Sequence, residues 1–333
     1  MRPVVRFGAG SLAELSAVAE EVGVRRPVLV TSERWRARVA DAALAGAYTG
    51  VRSHSPVETV EAAVAAAADA DADAVVGLGG GSAVDTAKAV SARLEIPVIA
   101  VPTTYAGAEW TPYFGMRDEA ARRKGGGTGA TTAAAIYDPE LTLGLPVELT
   151  VGTTLNALAH AAEAFYAVGR GPRAERHAFT GARAIAYALP LVVDRPDSLY
   201  ARARLLEGAM RAAQALAAGG LALAHAMAQA LGGRYGVAHG AANAAVLAPV
   251  LRFNEQAVPE AVGALAEAMG VADAPAEVER LAALGGLGHL RRLDVPEEEL
   301  GAVAAEAAAR PGARANPRAA SAEEVAALFR AAW

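Results

Sequence analysis

Ala74-Val75-Val76-Gly77-Leu78 runs directly into Gly79-Gly80-Gly81-Ser82, and helical spacing follows from about Ala83 to Leu94. The short apolar run predicts a strand buried on both faces. Glycines permit positive φ and a close backbone approach. A helix that opens at such a loop offers free N–H groups and a partial positive charge, which suit a pyrophosphate. Ser82 adds a hydroxyl. The alternative is a tight strand–helix turn that binds nothing, but strand context and three consecutive glycines favour the phosphate reading. The pattern is not G-x-G-x-x-G, so the standard dinucleotide fingerprint is excluded.

The same rhythm extends to either side. Leu12–Val22 has helical spacing, Pro27–Thr31 reads as a strand, Val57–Ala70 as a helix, and Pro97–Val101 as a strand stopped by Pro102. This βαβ alternation predicts a mainly parallel sheet flanked by helices. Arg117–Thr132 is polar and glycine-rich and reads as a mobile hairpin or loop; Ala134–Tyr137 reads as a last strand, and Leu145-Pro146 as a boundary. From Val147 onward the patterning is helical almost throughout, with Gly232–Gly236 expected to turn the chain back. The expected organisation is therefore an α/β nucleotide-binding domain over residues 1–146 and an all-α domain over 147–333.

Composition bounds the chemistry. At 333 residues, 53% hydrophobic and 20% charged, the chain is of ordinary globular type. Its net charge of −5 argues against nucleic acid or an anionic membrane as partner. It has no cysteine, which excludes disulfides, thiolate metal sites, iron–sulfur clusters and cysteine nucleophiles. No apolar run has the length of a membrane span, and the N-terminus lacks the apolar core of a signal peptide, so a cytoplasmic protein is expected.

Several further residues carry candidate chemistry. Asp85 and Lys88 share one face of the helix that opens at the glycine loop; they are either a solvated ion pair or, through Asp85, a contact to ligand hydroxyls or an anchor for the loop. Thr103 and Thr104 leave the carboxyl end of a strand, where ligands of open α/β sheets sit, and are either ribose or phosphate contacts or capping hydroxyls. In the helical half, Asn156 and His160 are four apart on one helical face, and His225 and His239 follow. Half of the six histidines fall in this pattern. Three imidazoles and the Asn156 oxygen could hold a divalent metal, but an amide brings no negative charge, so affinity should fall. Without metal, the same imidazoles can donate hydrogen bonds or protons to a substrate, and this metal-independent role is the favoured one.

Together these residues resemble the iron-containing (group III) alcohol dehydrogenase family, and within it the maleylacetate reductase branch. The resemblance rests on Gly79-Gly80-Gly81-Ser82-Ala83-Val84-Asp85-Thr86-Ala87-Lys88, Pro102–Pro112, Ile136–Pro146, Leu155–Ala161 and Asn316-Pro317-Arg318 with a terminal Ala-Ala-Trp, and it covers nearly the whole chain. It implies a dehydroquinate synthase-like architecture, NAD(P)H as cofactor, a homodimer and a site in the cleft between the domains. In the dehydrogenases one Asp and three His bind the metal; the three match His160, His225 and His239, while Asn156 stands where the Asp belongs, as in the reductases, which are regarded as metal-independent. Departures are Gln229, where both branches usually carry His, His239-Gly240 and Asp85, which are dehydrogenase-like, and a short loop after Lys124.

The expected activity is NAD(P)H-dependent reduction of an alkene conjugated to a ketone, as in maleylacetate to 3-oxoadipate, a step of aromatic-compound catabolism. His160, His225 and His239 would stabilise the developing enolate, with Tyr105 as proton donor or substrate contact. Lys124 and Arg318 are candidate partners for the substrate carboxylates, with Gln229 a further contact. Ser32, placed after the strand at 28–31 with Arg34 nearby, would not repel a 2′-phosphate, although Glu33 would. The alternatives are a metal-dependent (Fe or Zn) alcohol dehydrogenase and a nucleotide-binding homologue with a non-redox or scaffold role.

Overall fold

A computed structural model describes residues 3–167 and 169–333. The chain divides into two compact units, residues 1–104 with 108–144 and residues 105–107 with 145–333.

In the first unit, six strands form one parallel sheet: β1 (Val4–Phe7), β2 (Pro27–Val30), β3 (Gly46–Tyr48), β4 (Ala74–Gly79), β5 (Val98–Pro102) and β8 (Thr132–Tyr137). Their order across the sheet is β1-β8-β5-β4-β2-β3. The helices of this unit are α1 (Leu15–Glu21), the single turn α2 (Glu33–Arg36), α3 (Val57–Asp69) and α4 (Gly81–Leu94). Side chains alternate faces along each strand. Leu29, Val76, Leu78, Ile99, Val101 and Ile136 therefore pack with Leu15 and Val18 of α1. Val28, Val30, Val75, Val98 and Ala100 pack with Ala63 and Ala67 of α3 and with Val84, Ala87 and Val90 of α4. This two-sided burial explains why the strands read as continuous apolar runs. From β2 the chain steps outward to β3 and then returns to β4 on the other side, so the winding reverses between β2 and β4. Ligands of open α/β sheets sit beyond the carboxyl ends of strands at such a reversal.

The segment expected to be a hairpin or loop forms a hairpin of β6 (Phe114–Asp118) and β7 (Arg123–Gly127), with Met116 opposite Gly125. Strand β3 has only three residues, all half-buried, and no apolar run announces it.

The second unit is helical: α5 (Val147–Tyr166), α6 (Pro172–Asp194), α7 (Leu199–Gly219), α8 (Leu223–Tyr235), α9 (His239–Glu255), α10 (Pro259–Met269), α11 (Ala274–Ala283), α12 (Leu300–Ala308), the one-turn α13 (Pro311–Arg314) and α14 (Ala322–Ala332). Among the described residues no single helix is long and apolar enough to cross a membrane. Gly232 and Gly233 were expected in a turn, yet both are buried within α8, and the chain reverses only at Gly236, which takes the left-handed conformation (φ 72°). Burial of α8 outweighs the cost of about 1 kcal/mol per glycine in a helix.

Candidate active site

Two polar clusters emerge, one in each unit. In the sheet unit, Gly79 ends β4 at φ +149°, and a Cβ there would stand 2.7 Å from the Cβ of Ala83, so glycine lets the first turn of α4 close over the strand end. Gly80 precedes α4 without any side-chain cap, leaving the first N–H groups of that helix available to an anion. Ser82 Oγ accepts from the His54 N–H at 3.0 Å and keeps its own proton to donate. The hydroxyls of Thr103 and Thr104 are buried with no hydrogen-bond partner. Uncapped N–H groups and orphaned hydroxyls near one strand end fit a pyrophosphate and its ribose. Ser32 caps the N-terminal side of α2 after β2, half-buried, with no side-chain capping bond.

Asp85 and Lys88 are not a solvated pair. Lys88 is 1% exposed; its Nζ donates to the Ala108 carbonyl at 2.7 Å and to Thr111 Oγ1 at 3.3 Å, and lies 3.7 Å from Asp85 Oδ1. Burial pushes the ammonium below the ordinary lysine range, while Asp85 and Glu109 push it back up. The other Asp85 oxygen accepts from the Gly115 N–H at 3.1 Å. Helix α4 thus grips both the 108–111 segment and the hairpin. Lys124 of β7 lies in the same place: a Cβ on Gly115 would meet its Cε at 3.1 Å and Asp85 Oδ2 at 3.4 Å. Beyond Lys88, buried Glu109 accepts from the Tyr137 hydroxyl at 2.6 Å, and the Trp110 indole donates to that hydroxyl at 2.6 Å. Desolvation raises the Glu109 carboxyl and lifts the Tyr137 phenol well above its usual range.

In the helical unit, α5 supplies Asn156, His160 and Glu163, α8 supplies His225 and Gln229, and α9 supplies His239 and Asn243. The structure brings the three histidines together. The His160 and His225 rings stack, with centroids 4.7 Å apart and planes 14° apart, and His239 lies 5.7 Å from His225 at 52°. Two residues not singled out in the sequence hold this group. Asn243, fully buried and one turn beyond His239, donates Nδ2–H to Asn156 Oδ1 at 2.7 Å and to the His239 carbonyl at 3.3 Å, and the same nitrogen lies 3.4 Å from His239 Nε2. Asn156 Nδ2 donates in turn to the Ala106 carbonyl at 2.8 Å and lies 3.5 Å from His160 Nε2. Glu163, also fully buried, accepts from the Ala222 N–H at 2.6 Å, the His225 N–H at 3.1 Å and His225 Nδ1 at 2.7 Å. The α5–α9 approach that permits the amide pair depends on Gly240, where a Cβ would lie 2.5 Å from the Gly152 carbonyl oxygen. The dehydrogenase-like glycine after His239 therefore has a packing reason.

These residues do not fit a divalent metal. The Asn156 oxygen that would ligate already accepts a hydrogen bond from the Asn243 NH₂ group, so coordination would hold that N–H against a cation. Nearly parallel imidazoles cannot both aim in-plane lone pairs at one point. Among the described residues no group of three or more His, Asp or Glu is placed to hold an ion. The site's one carboxylate, Glu163, is taken up by His225 Nδ1 and two backbone N–H groups, so no charged ligand offsets an ion's desolvation.

The remaining sequence candidates have identifiable partners. The Tyr105 side chain is fully buried and its hydroxyl accepts from the buried Arg202 guanidinium at 3.2 Å, which makes it part of the packing between loop and helix. Gln229 lies one turn beyond His225, and its carbonyl accepts from Arg310 at 3.3 Å; this second cation was not anticipated. Arg318 stacks on Phe253 at 4.0 Å and pairs with Glu324, while Asn316 forms reciprocal amide bonds with Asn254 at 2.7 and 3.0 Å. Arg318 thus helps pin the 315–320 segment.

Comparisons with known proteins identify the family. Residues 3–139 match the model of the iron-containing alcohol dehydrogenases, and residues 150–333 match the C-terminal model of that family. A maleylacetate reductase from Sphingobium indicum is 37% identical over 321 residues, 94% of this chain and 90% of its own. The crystal structure of maleylacetate reductase from Rhizobium sp. strain MTP-10005 superposes with a TM-score of 0.91 at 35% identity, covering 100% of this chain and 97% of that one. An iron-containing alcohol dehydrogenase from Corynebacterium glutamicum gives a TM-score of 0.92 at 33% identity, covering 100% and 95%. A parallel-sheet unit carrying a glycine loop, followed by a helical unit that gathers three histidines, is thus the architecture of an oxidoreductase, and the chain belongs to the iron-containing alcohol dehydrogenase family, with maleylacetate reductases among its similar relatives.

Proposed function

We propose that the protein is a maleylacetate reductase-like enzyme that uses NAD(P)H to reduce an alkene conjugated to a ketone, without a metal. The observation that carries this reading is the Asn243–Asn156 bond, which places an amide N–H against the oxygen a metal would use and leaves the imidazoles to act on substrate directly. The maleylacetate reductase relatives at 34–37% identity favour the enone over other oxidised substrates.

The glycine loop, Ser82, Thr103 and Thr104 would bind the cofactor phosphates and ribose, with Asp85 and Lys88 holding the neighbouring segment in place. A bound reduced nicotinamide supplies hydride to the carbon β to the ketone. Negative charge then develops on the ketone oxygen, and the imidazole group is the set of preorganised donors that meets it. A dicarboxylate needs cations; Lys124 and Arg318 are the proposed partners, with Arg310, beside Gln229, a further one.

The test is oxidation of NADH and of NADPH with maleylacetate as acceptor, on chelator-treated enzyme, beside a panel of aldehydes and simple ketones. Turnover confined to the enone is the expected result. Activity only on aldehydes after addition of Fe²⁺ or Zn²⁺ would replace this reading with that of a metal-dependent alcohol dehydrogenase.

A further inference from the structure

The three imidazoles are not equivalent. His160 and His239 each have Nε2 facing an amide NH₂ group, Asn156 at 3.5 Å and Asn243 at 3.4 Å, and an amide nitrogen can only donate. On that edge His160 is an acceptor, while the two Asn243 N–H groups go to Asn156 Oδ1 and the His239 carbonyl. His225 differs. Its Nδ1 is held by Glu163 at 2.7 Å, while its Nε2 is buried and has no hydrogen-bond partner. Glu163 itself is fixed by two backbone N–H groups, those of Ala222 and His225, at the start of α8. The carboxylate therefore cannot swing away, and as an acceptor it requires the proton on Nδ1.

We propose that Glu163 and His225 form the proton-delivering pair of this site, with Glu163 the positioning residue and His225 the catalytic one. This rests on the enone-reductase reading above. Hydride addition at the β-carbon forms a C–H bond there and moves the alkene electron pair into an enolate. The proton on His225 Nε2 then goes to the α-carbon, completing reduction of the double bond as the nicotinamide is oxidised. The ring is left neutral, with Nδ1–H still on Glu163, and takes its next proton from solvent. While His225 carries both protons, the adjacent carboxylate keeps it from being an unpaired buried charge. The pairing has the logic of any carboxylate-oriented histidine: the acid sets tautomer and ring angle, and the outer nitrogen does the chemistry.

The test combines two readouts on the full-length enzyme. In ¹⁵N-histidine-labelled protein, the Nδ1–H of His225 should give a slowly exchanging, downfield proton resonance, assigned by its loss in His225→Asn. In Glu163→Gln this resonance should be lost, and kcat for enone reduction should fall about 100-fold, the lower range for removing a general acid. NADH affinity and the substrate KM should stay within about threefold, a split that a general loosening of the fold would not give. If Glu163→Gln fails to fold, the resonance in the wild-type enzyme still decides the geometry. Wild-type kcat in Glu163→Gln, or an active wild-type enzyme without the resonance, would overturn the pair. An enzyme that shows the resonance but reduces no enone would overturn the functional reading and the catalytic role of His225, leaving only the hydrogen bond.

Discussion

The two polar clusters, one in each unit, are built in different ways. The sheet unit buries charge: Lys88 and Glu109 are almost wholly enclosed, with Asp85 at the rim. The ammonium of Lys88 is spent on backbone, joining α4 to the Ala108 carbonyl. The histidine cluster of the helical unit holds mainly neutral groups, the amides of Asn156 and Asn243 and three imidazoles of which His160 and His225 are buried, with Glu163 as its carboxylate, and it leaves His225 Nε2 and Asn243 Oδ1 without partners. A buried charge satisfied by backbone fixes a loop. A network with unpartnered polar atoms holds reacting groups in place while leaving them something to do. The contrast separates the residues that shape a binding loop from those placed for chemistry, and the following experiments act on one network at a time.

The largest effect is expected from Asn243→Ala. Loss of the amide strut frees both Asn156 and His239, and a misplacement of about 1 Å costs about 100-fold in turnover. Steady-state kcat measures this; an unchanged kcat would show that the strut does not position the site. Next comes Gly240→Ala, which forces α9 away from the Gly152 carbonyl and should cost about 1–3 kcal/mol of stability, the usual range for overpacking. Chemical denaturation would report it, and a neutral result would mean that the helices part without strain.

Lys88→Met sharpens the other half of the comparison. It leaves the Ala108 carbonyl unpaired, at about 1–3 kcal/mol, but removes the desolvation cost of a buried ammonium, so the net loss should be smaller than for Gly240→Ala. The pH dependence has a definite sign. Burial lowers the Lys88 pKa, so between that lowered value and the ordinary 10.5 the unfolded chain binds more protons than the native one. Wild-type stability should therefore gain from this group as pH rises through that window, and Lys88→Met should lack the gain. Parallel stability curves for the two proteins would contradict the assignment. The smallest effect on stability is expected from Arg318→Ala, under about 1 kcal/mol because its ion pair is partly exposed, with a rise in the substrate KM. An unchanged KM would remove Arg318 from the substrate site.

Much of the fold could be read from sequence because buried parallel strands and their helices leave strong periodic signals. Val75, Val76 and Leu78 announce β4 whatever surrounds them. Strand β3, with Gly46 and Ala47, carries no such signal, since its pairing to β2 rather than its residues makes it a strand. Thr150, Thr153 and Thr154 near the start of α5 are weak helix formers that packing overrides. Within the site, the histidines were visible as rare residues in a suggestive pattern. Their supports were not, because Glu163 and Asn243 sit among alanines that fit any helix. A signal existed: Glu163 is three residues beyond His160 and Asn243 four beyond His239, each on the face already assigned to the site. Arg202 and Arg310 offered none, since only the tertiary fold brings them to Tyr105 and Gln229.

Asn156 is paired with Asn243 beside the three imidazoles, and a titration tests directly whether that group takes up a metal. Zn²⁺ or Fe²⁺ would be added to chelator-treated wild-type enzyme in a calorimeter, and enone reduction followed on the same samples. The account expects no stoichiometric binding and no change in rate. Tight binding of one ion per chain together with activation would contradict it and return His160, His225 and His239 to the role of metal ligands.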